Sequence, residues 1–264
     1  MQEIIAEMMG VVRSRTPLVH HITNYVTVND CANACICAGG SPVMTDEAQD
    51  VPDIVRISSA VVLNIGTLNQ RTVESMRIAG NEADRIGVPV VLDPVGAGAT
   101  AYRTAVAREL MGYDAVRIVK GNSGEISVLA GMEGEVRGVD SVSGAGDGHA
   151  AISLARSTGR VVAATGETDY VSDGEVTYAI GNGCGLMERV SGTGCMVSSL
   201  VGAYAGACGA SLEAVAAALT VFSVAGEIAG EGSPGPGTFK ARLLDAVHNL
   251  KSEDILERAE IRRL

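Results

Sequence analysis

The chain has no tryptophan, and aromatic residues make up only 3% of its 264 positions, so large rings cannot fill its interior. Its 33 glycines and its apolar fraction of 47% indicate instead a core built from Ala, Val, Ile, Leu and Gly. Small side chains allow helices to pack closely on a sheet. Length and composition together predict one large α/β domain, covering residues 1–264, with a substantial core.

Basic residues are too few to form a surface for nucleic acid. The chain carries 20 Lys and Arg against 31 Asp and Glu, which gives a formal net charge of -11. Phosphate backbones are bound by basic stripes, so we expect no nucleic-acid partner. An anionic substrate would have to be held by local amides and a metal ion rather than by attraction to the whole surface.

The sequence also lacks features of a membrane protein and of a disulfide scaffold. We find no apolar run of the roughly 18 residues that span a bilayer, and residues 1–13 have the charge of an amphipathic helix rather than of a signal peptide. We therefore expect a cytoplasmic protein with no membrane partner. Its six cysteines include no CxxC pair, and Cys31, Cys35 and Cys37 match no usual zinc spacing. Reduced thiols are expected, with Cys31 and Cys35 on a helix-packing face.

Short apolar strands alternate with longer helical patterns, which predicts a mostly parallel sheet flanked by helices. The helical patterns cover residues 2–14, 31–38, 70–86, 101–111, 196–208 and 211–229, and a last one ends near Leu250. The strand patterns cover a β-rich segment at 18–30, buried strands at 60–67, 88–93 and 115–120, an edge strand at 160–164 and a hairpin at 170–180.

The turn Gly192-Thr193-Gly194-Cys195 runs directly into an apolar segment of helical density. The first amides of a helix lack intrahelical acceptors and lie at the positive end of its dipole, so they can bind an oxyanion or a phosphoryl group. Cys195 is the one ionisable side chain of the turn, and a thiol at a helix N-terminus is expected to have a lowered pKa. The pattern indicates an anion hole beside a base or nucleophile; the alternative is a glycine-rich turn with a buried structural cysteine.

Four polar residues lie at the ends of apolar strands or directly after them. Asp93 ends a central strand, where a carboxylate faces a metal, a phosphate or a capped amide. Lys120 also ends an apolar strand, and no structural role explains it easily. Asn122 and Glu125 have the spacing of a capping box, which is the structural explanation for Glu125.

Other residues allow two interpretations each. Met44 is either core filler or a flexible thioether wall for a flat heteroaromatic ring. His20 and His21 point to opposite faces of a strand, so they cannot serve one metal, and we interpret them as hydrogen-bonding core or rim groups rather than as ligands. A second glycine-rich turn, Gly144-Ala145-Gly146-Asp147, looks like a sugar-kinase signature. However, no apolar strand leads into it, so we interpret it as a chance match and expect Asp147 to lie outside the active site.

Taken together, these segments resemble the hydroxyethylthiazole kinases, a family of the ribokinase-like superfamily, essentially from end to end. The most specific segments lie at residues 19–27, 41–44, 63–67, 92–97, 120–126, 165–171 and 192–195. The resemblance implies a three-layer ribokinase-like α/β fold. It also implies transfer of the γ-phosphoryl group of ATP to the alcohol of 4-methyl-5-(2-hydroxyethyl)thiazole in thiamine biosynthesis, with Mg²⁺, in a homotrimer whose thiazole pockets lie between subunits.

The resemblance assigns roles by position. The implied thiazole contacts are Met44, Gly192 and Asn24; the ATP contacts are Lys120, Asn122 and Thr165; the Mg²⁺ site is Asp93 and Glu125; and the anion hole is Gly192, Thr193, Gly194 and Cys195, with Cys195 beside the attacking hydroxyl. The family more often has Arg at the position of Lys120, so a bidentate contact becomes a single point charge. Related sugar kinases carry Asp at the position of Cys195.

Two other functions stay open at this point. One is a kinase of the same superfamily that acts on another small alcohol, such as a hydroxymethylpyrimidine or a sugar. The other is a non-catalytic oligomeric protein that binds thiazole or nucleotide.

Overall fold

The computed structural model describes residues 1–132 and 148–264. Its helices are α1 (Gln2–Arg15), α2 (Val28–Ala38), α3 (Val51–Ile57), α4 (Gln70–Ile86), α5 (Ala101–Met111), α6 (Ser123–Leu129), α7 (His149–Thr158), α8 (Thr193–Cys208), α9 (Leu212–Glu231), α10 (Pro236–Asn249) and α11 (Ser252–Arg258). Its strands are β1 (Leu18–Ile22), β2 (Ser41–Met44), β3 (Ala60–Asn64), β4 (Val90–Asp93), β5 (Val116–Asn122), β6 (Val161–Thr165), β7 (Asp169–Ser172), β8 (Thr177–Ile180) and β9 (Ile261–Arg263).

The strands of the described residues form one sheet in the order β2-β1-β3-β4-β5-β6-β7-β8-β9. The first six of these are parallel, and β7, β8 and β9 each run antiparallel to the preceding strand in the sheet. The predicted hairpin is confirmed as β7 and β8. The prediction that residues 160–164 form an edge strand is wrong, because β6 pairs with β5 on one side and β7 on the other.

Two apolar clusters place the helices on opposite faces of the sheet. Val62 packs in one cluster with α1, α2, α8, α9 and α10, whereas its neighbours Val61 and Leu63 pack in the other with α3, α4, α5 and α7. Successive side chains of a strand point to opposite faces, so this alternation is what a sheet covered on both sides requires. The three-layer α/β fold is confirmed.

The segment after β1 differs from its prediction as a β-rich stretch. The strand ends at Ile22, and α2 begins at Val28, three residues before the predicted start at Cys31. Between them, the side-chain oxygen of Asn24 accepts a hydrogen bond from the backbone nitrogen of Thr27 (3.1 Å), which closes a turn. Cys31 and Cys35 are buried on α2, as predicted for a packing face.

Helix α9 corrects the expectation that no apolar segment of the chain is long enough to span a bilayer. By length and composition, its 20 residues could cross a membrane. However, 83% of its apolar window is buried inside the fold, where α9 packs against α1, α8 and α10. Its apolar surface is therefore covered by protein, as in the core helix of an α/β domain.

Candidate active site

Two neighbouring strands bring polar side chains together at the carboxyl edge of the sheet. Asn64 ends β3 and lies in register with Asp93, which ends β4. The Nδ2 atom of Asn64 donates to Oδ2 of Asp93 at 2.7 Å. Asn24 follows β1, on the other side of β3, and its Nδ2 donates to Oδ1 of Asn64 at 3.0 Å. The order β2-β1-β3 reverses the direction of chain progression here, and ligands of open α/β sheets bind at such switch points.

The start of α8 lies over this edge. Gly192 has a φ of 93°, and a Cβ atom at this position would lie 2.4 Å from Cγ2 of Thr27, so only glycine fits the turn. The first hydrogen bond of the helix runs from the nitrogen of Met196 to the oxygen of Gly192 (2.8 Å). The amides of Thr193, Gly194 and Cys195 therefore precede the helical ladder, as the predicted anion hole requires.

The sulfur of Cys195 contacts the same polar cluster. It accepts hydrogen bonds from Nδ2 of Asn64 (3.2 Å) and Nδ2 of Asn24 (3.3 Å). Nearly one turn further along α8, the hydroxyl of Ser198 donates to Oδ2 of Asp93 at 2.7 Å. Helix α8 is thus joined to β3 and β4 through the thiol and the carboxylate at once.

The expected lowering of the Cys195 pKa is wrong for this environment. Burial raises the pKa of the thiol, and the nearby charge of Asp93 raises it further. The hydroxyl of Thr27, the charge of Lys120 and the Asn64 amide act in the opposite direction, but they are the smaller effects. The helix N-terminus does not outweigh desolvation, so the neutral thiol is the main form at pH 7.

Lys120 ties the turn to the centre of the sheet. Its side chain is only 3% exposed, and its Nζ donates to the carbonyl oxygen of Gly194 at 2.9 Å. Asp93 is 2% exposed; burial raises the pKa of its carboxyl, and the positive charge of Lys120 opposes that effect. The lysine therefore partly compensates a buried carboxylate while it fixes the backbone of the anion-hole turn.

Glu125 forms the capping box predicted from its spacing with Asn122. The nitrogen of Glu125 donates to Oδ1 of Asn122 (2.9 Å), and the nitrogen of Asn122 donates to Oε2 of Glu125 (2.8 Å). The other carboxylate oxygen, Oε1, accepts from the nitrogen of Gly96 in the loop after β4 (2.8 Å). Glu125 therefore fastens the start of α6 to the loop that follows Asp93.

A cavity of about 580 Å³ opens on the other side of the anion-hole turn. Thr193 and Gly194 line it from α8, and Asn122 and Thr165 line it from the ends of β5 and β6. The volume is within the range of sites that bind small molecules and cofactors. Asn122 and Thr165, two of the three predicted ATP contacts, thus line one cavity together with Thr193 and Gly194 of the predicted anion hole, whereas Lys120 does not line it.

The remaining predicted residues lie apart from this cavity. Met44 ends β2 and pairs in register with His21. The two histidines are buried, and each makes one hydrogen bond to a backbone oxygen: His20 to Thr45 (2.9 Å) and His21 to Val19 (3.0 Å). Their interpretation as hydrogen-bonding core or rim groups is confirmed, and both lie in the core. Asp147 and the second glycine-rich turn at 144–147 fall outside the described residues.

Two contributors to the cluster were missing from the predicted site. Asn64 ends the apolar strand β3 in the same way that Asp93 ends β4, so the rule that selected Asp93 could have selected it. Ser198 lies three residues after Cys195, on the same face of α8, but its role becomes visible only when α8 is placed against β4.

A family model of the hydroxyethylthiazole kinases matches residues 9–253 of the chain. The chain belongs to the hydroxyethylthiazole kinase family. It is 50% identical to a "Hydroxyethylthiazole kinase" of Methanoculleus marisnigri, over 98% of this chain and 93% of that protein. A protein of the same name from Alkaliphilus oremlandii is 47% identical over 95% of this chain and 94% of that protein.

Solved structures agree with this membership. A hydroxyethylthiazole kinase protein from Pyrococcus horikoshii OT3 superposes with a TM-score of 0.92 and 42% identity, covering 98% of both chains. A pyridoxal kinase from Staphylococcus aureus, in complex with pyridoxal, superposes with a TM-score of 0.65 at 14% identity, over 94% of this chain and 97% of that one. The second similarity shows the shared fold alone.

Proposed function

We propose that this protein transfers the γ-phosphoryl group of ATP to the hydroxyl of 4-methyl-5-(2-hydroxyethyl)thiazole. The products would be ADP and the phosphorylated thiazole from which thiamine phosphate is made. The observation that carries the proposal is the first turn of α8: Thr193 and Gly194 line the cavity, while the next residue, Cys195, faces Asn64 on the other side. One turn thus separates a nucleotide-sized cavity from a thiol beside a buried carboxylate, and the shared name of the relatives supports the thiazole as substrate.

Mg²⁺ fits the carboxylates that the fold brings together. Asp93 and Glu125 lie close enough for the charge of Asp93 to raise the pKa of Glu125, after the larger effect of burial. Both hydrogen bonds to Asp93 end on Oδ2, so Oδ1 is the oxygen available to a ligand. Among the described residues no group of three or more His, Cys, Asp or Glu side chains is arranged to hold a metal. One or two carboxylates completed by phosphate oxygens suit Mg²⁺, which would neutralise the developing phosphate charge.

The chain's own residues supply alignment and charge, which is most of what phosphoryl transfer needs. The amides of Thr193, Gly194 and Cys195 would hold the transferring group, and the hydrogen bond from Lys120 to the Gly194 carbonyl supports this because it fixes their turn. Cys195 would accept the proton of the attacking hydroxyl as the new O–P bond forms. Because burial keeps the thiol mostly neutral at pH 7, we expect turnover to rise with pH as the thiol ionises.

We also propose a homotrimer with thiazole sites between subunits, in the cytoplasm. Tyr25 is 76% exposed and Val26 is 62% exposed, directly after Asn24. Neighbouring exposed apolar side chains beside a site favour cover by a second copy of the chain. The molar mass in solution, measured by light scattering, should be that of three chains, and a monomer would contradict this proposal.

The test of the function is ADP release from ATP and Mg²⁺ with a panel of alcohols: the thiazole alcohol, hydroxymethylpyrimidine, pyridoxal and ribose. We expect the largest kcat/KM for the thiazole alcohol. Preference for hydroxymethylpyrimidine or ribose would favour the related kinases, and binding without ADP release would favour the non-catalytic alternative.

A further inference from the structure

Backbone N–H groups, which can only donate hydrogen bonds, fix the orientation of the side-chain amides of Asn24 and Asn64. The backbone nitrogen of Gly66 donates to Oδ1 of Asn64 at 2.9 Å, and the backbone nitrogen of Thr27 donates to Oδ1 of Asn24 at 3.1 Å. A backbone N–H only donates, so it must face the amide oxygen rather than the amide nitrogen. Both NH₂ groups are therefore turned toward the interior of the cluster.

Each of these NH₂ groups has two hydrogens, and the cluster uses all four. Asn64 donates one to Oδ2 of Asp93 (2.7 Å) and one to the sulfur of Cys195 (3.2 Å). Asn24 donates one to Oδ1 of Asn64 (3.0 Å) and one to the same sulfur (3.3 Å). The sulfur thus faces two N–H donors whose direction the protein has fixed in advance.

This arrangement leaves Asn24 little capacity to bind a substrate. Its side chain is 4% exposed, its oxygen also accepts from the hydroxyl of Thr27 (3.0 Å), and both amide hydrogens are used within the cluster. The thiazole contact that the family resemblance implies for Asn24 would therefore come from its backbone or from its neighbours.

We propose that Asn24 and Asn64 are positioning residues that hold the Cys195 sulfur between two N–H donors and stabilise its thiolate. In the proposed reaction, the O–H bond of the alcohol breaks as the O–P bond forms, the proton passes to the thiolate to give the thiol, and the P–O bond to ADP breaks. Only this use of the thiolate rests on the proposed function; the hydrogen-bonded arrangement of the sulfur does not.

Several groups around the sulfur affect its ionisation besides the two amides. The carboxylate of Asp93 opposes the thiolate, whereas Lys120 and the hydroxyl of Thr27 favour it. The thiol of Cys31 is also near enough to be coupled electrostatically to Cys195, but burial raises the pKa of Cys31 to about 11, so it stays neutral at neutral pH. Neutral amide donors can stabilise the sulfur anion without adding a charge that would compete for phosphate.

The test is a titration of Cys195 in the protein without ligands. The ultraviolet absorption of the thiolate is recorded against pH for each protein and for its Cys195→Ser version, so that the difference reports this cysteine alone. The variants are Asn24→Ala and Asn64→Ala, with Asn24→Ser as a milder change if either folds poorly. Asn249→Ala is the matched control, since Asn249 is exposed on α10 and donates only to Asp245 in its own helix.

We expect Asn24→Ala to raise the apparent pKa of Cys195 by about one unit or more, the size of effect that hydrogen bonds to a charged form produce. In the kinase assay it should lower kcat about tenfold and change the KM for the thiazole less than about threefold. Asn249→Ala should match the parent.

Folded Asn24 and Asn64 variants with an unchanged thiol titration would overturn the proposal, as would an Asn24→Ala protein with an unchanged kcat and a raised KM. If the parent released no ADP with any alcohol, the proposed function would fail, while the titration would still decide whether the amides hold the thiolate.

Discussion

Asp93 at the end of β4 and Glu125 at the start of α6 are two buried carboxylates held in different ways. Glu125 accepts hydrogen bonds from backbone nitrogens, those of Gly96 and Asn122, so it organises the chain around it. Among the described residues, the carboxylate of Asp93 accepts only from side chains, those of Asn64 and Ser198, which come from other elements. Burial of a carboxylate is unfavourable in free energy, and a carboxylate that binds no backbone nitrogen contributes less to the fold in return. The comparison therefore separates Glu125, which holds backbone at two places, from Asp93, whose contacts are compatible with the Mg²⁺ role proposed for it.

Replacing Asp93 should have the largest effect on activity. Asp93→Ala should lower Mg²⁺-dependent kcat by roughly a thousandfold or more, because it removes the carboxylate available to the metal, and leave thiazole binding mostly intact. Calorimetric binding and steady-state kinetics measure the two quantities. Asp93→Asn, which keeps the shape, should melt within a few degrees of the parent. An equal loss of thiazole binding and turnover would instead make Asp93 a structural acid.

Cys195 comes next, and it tests whether the thiol takes part in the reaction beside Asp93. Cys195→Ala should lower kcat by roughly ten- to a thousandfold, the range of a lost general base. Cys195→Asp should keep or raise the activity at pH 7, because a carboxyl group ionises well below the raised pKa of the buried thiol. If both variants were as active as the parent, Cys195 would have no role in the mechanism.

Replacing Glu125 should lower the stability more, and the activity less, than replacing Asp93. Glu125→Ala leaves the nitrogens of Gly96 and Asn122 without their acceptor, so unfolding should become easier by about 2–3 kcal/mol. Its kcat should fall less than that of Asp93→Ala. Chemical denaturation measures the stability, and Asn122→Ala, which removes one capping hydrogen bond, should cost about 1 kcal/mol. A fully stable Glu125→Ala protein without turnover would contradict this contrast.

The smallest effect concerns the pH dependence of stability, to which His21 contributes with the opposite sign to Asp93 and Glu125. Burial lowers the pKa of His21 to about 4, from an ordinary value of 6.5. The unfolded chain therefore binds a proton at this histidine first as the pH falls, and His21 by itself should contribute a loss of stability of about 1–2 kcal/mol between pH 7 and pH 5. Burial raises the pKa values of Asp93 and Glu125, and raises that of Asp169 to about 6, so the contribution of these carboxylates has the opposite sign.

Denaturation at several pH values measures this effect. His21→Gln should remove the contribution of this histidine, so that the variant loses about 1–2 kcal/mol less stability than the parent between pH 7 and pH 5. An unchanged profile in the variant would assign the pH dependence to other groups.

Local patterns allowed much of the fold to be predicted. The helices at 70–86 and 101–111 have the predicted bounds, because their amphipathic patterns end at clear stops. The central strands were found from their apolar runs. The position of β6 inside the sheet could not be found this way, since whether a strand has one neighbour or two depends on β7 folding back beside it. Strand β9 was missed because three residues are too few to show an alternation, whereas helix α7 was missed although it buries residues at helical spacing.

The candidate site could be predicted where a polar residue ends an apolar strand or where a glycine-rich turn begins a helix. Asp93, Lys120 and the turn at Gly192–Cys195 meet at one edge, as parallel strand ends should. The ionisation of Cys195 was not predictable, because it depends on how deeply α8 buries the sulfur and on the distance to Asp93. The contacts of Ser198 and Asn24 join residues more than a hundred positions apart, and no local pattern encodes them.

The most direct test of this account is the product itself. Parent and Asp93→Ala proteins are incubated with ATP, Mg²⁺ and the thiazole alcohol, and the thiazole is analysed by mass spectrometry. The account predicts a thiazole that carries one phosphate, formed in step with ADP by the parent and nearly absent with Asp93→Ala. Formation of ADP without phosphorylated thiazole, or equal product from both proteins, would contradict it.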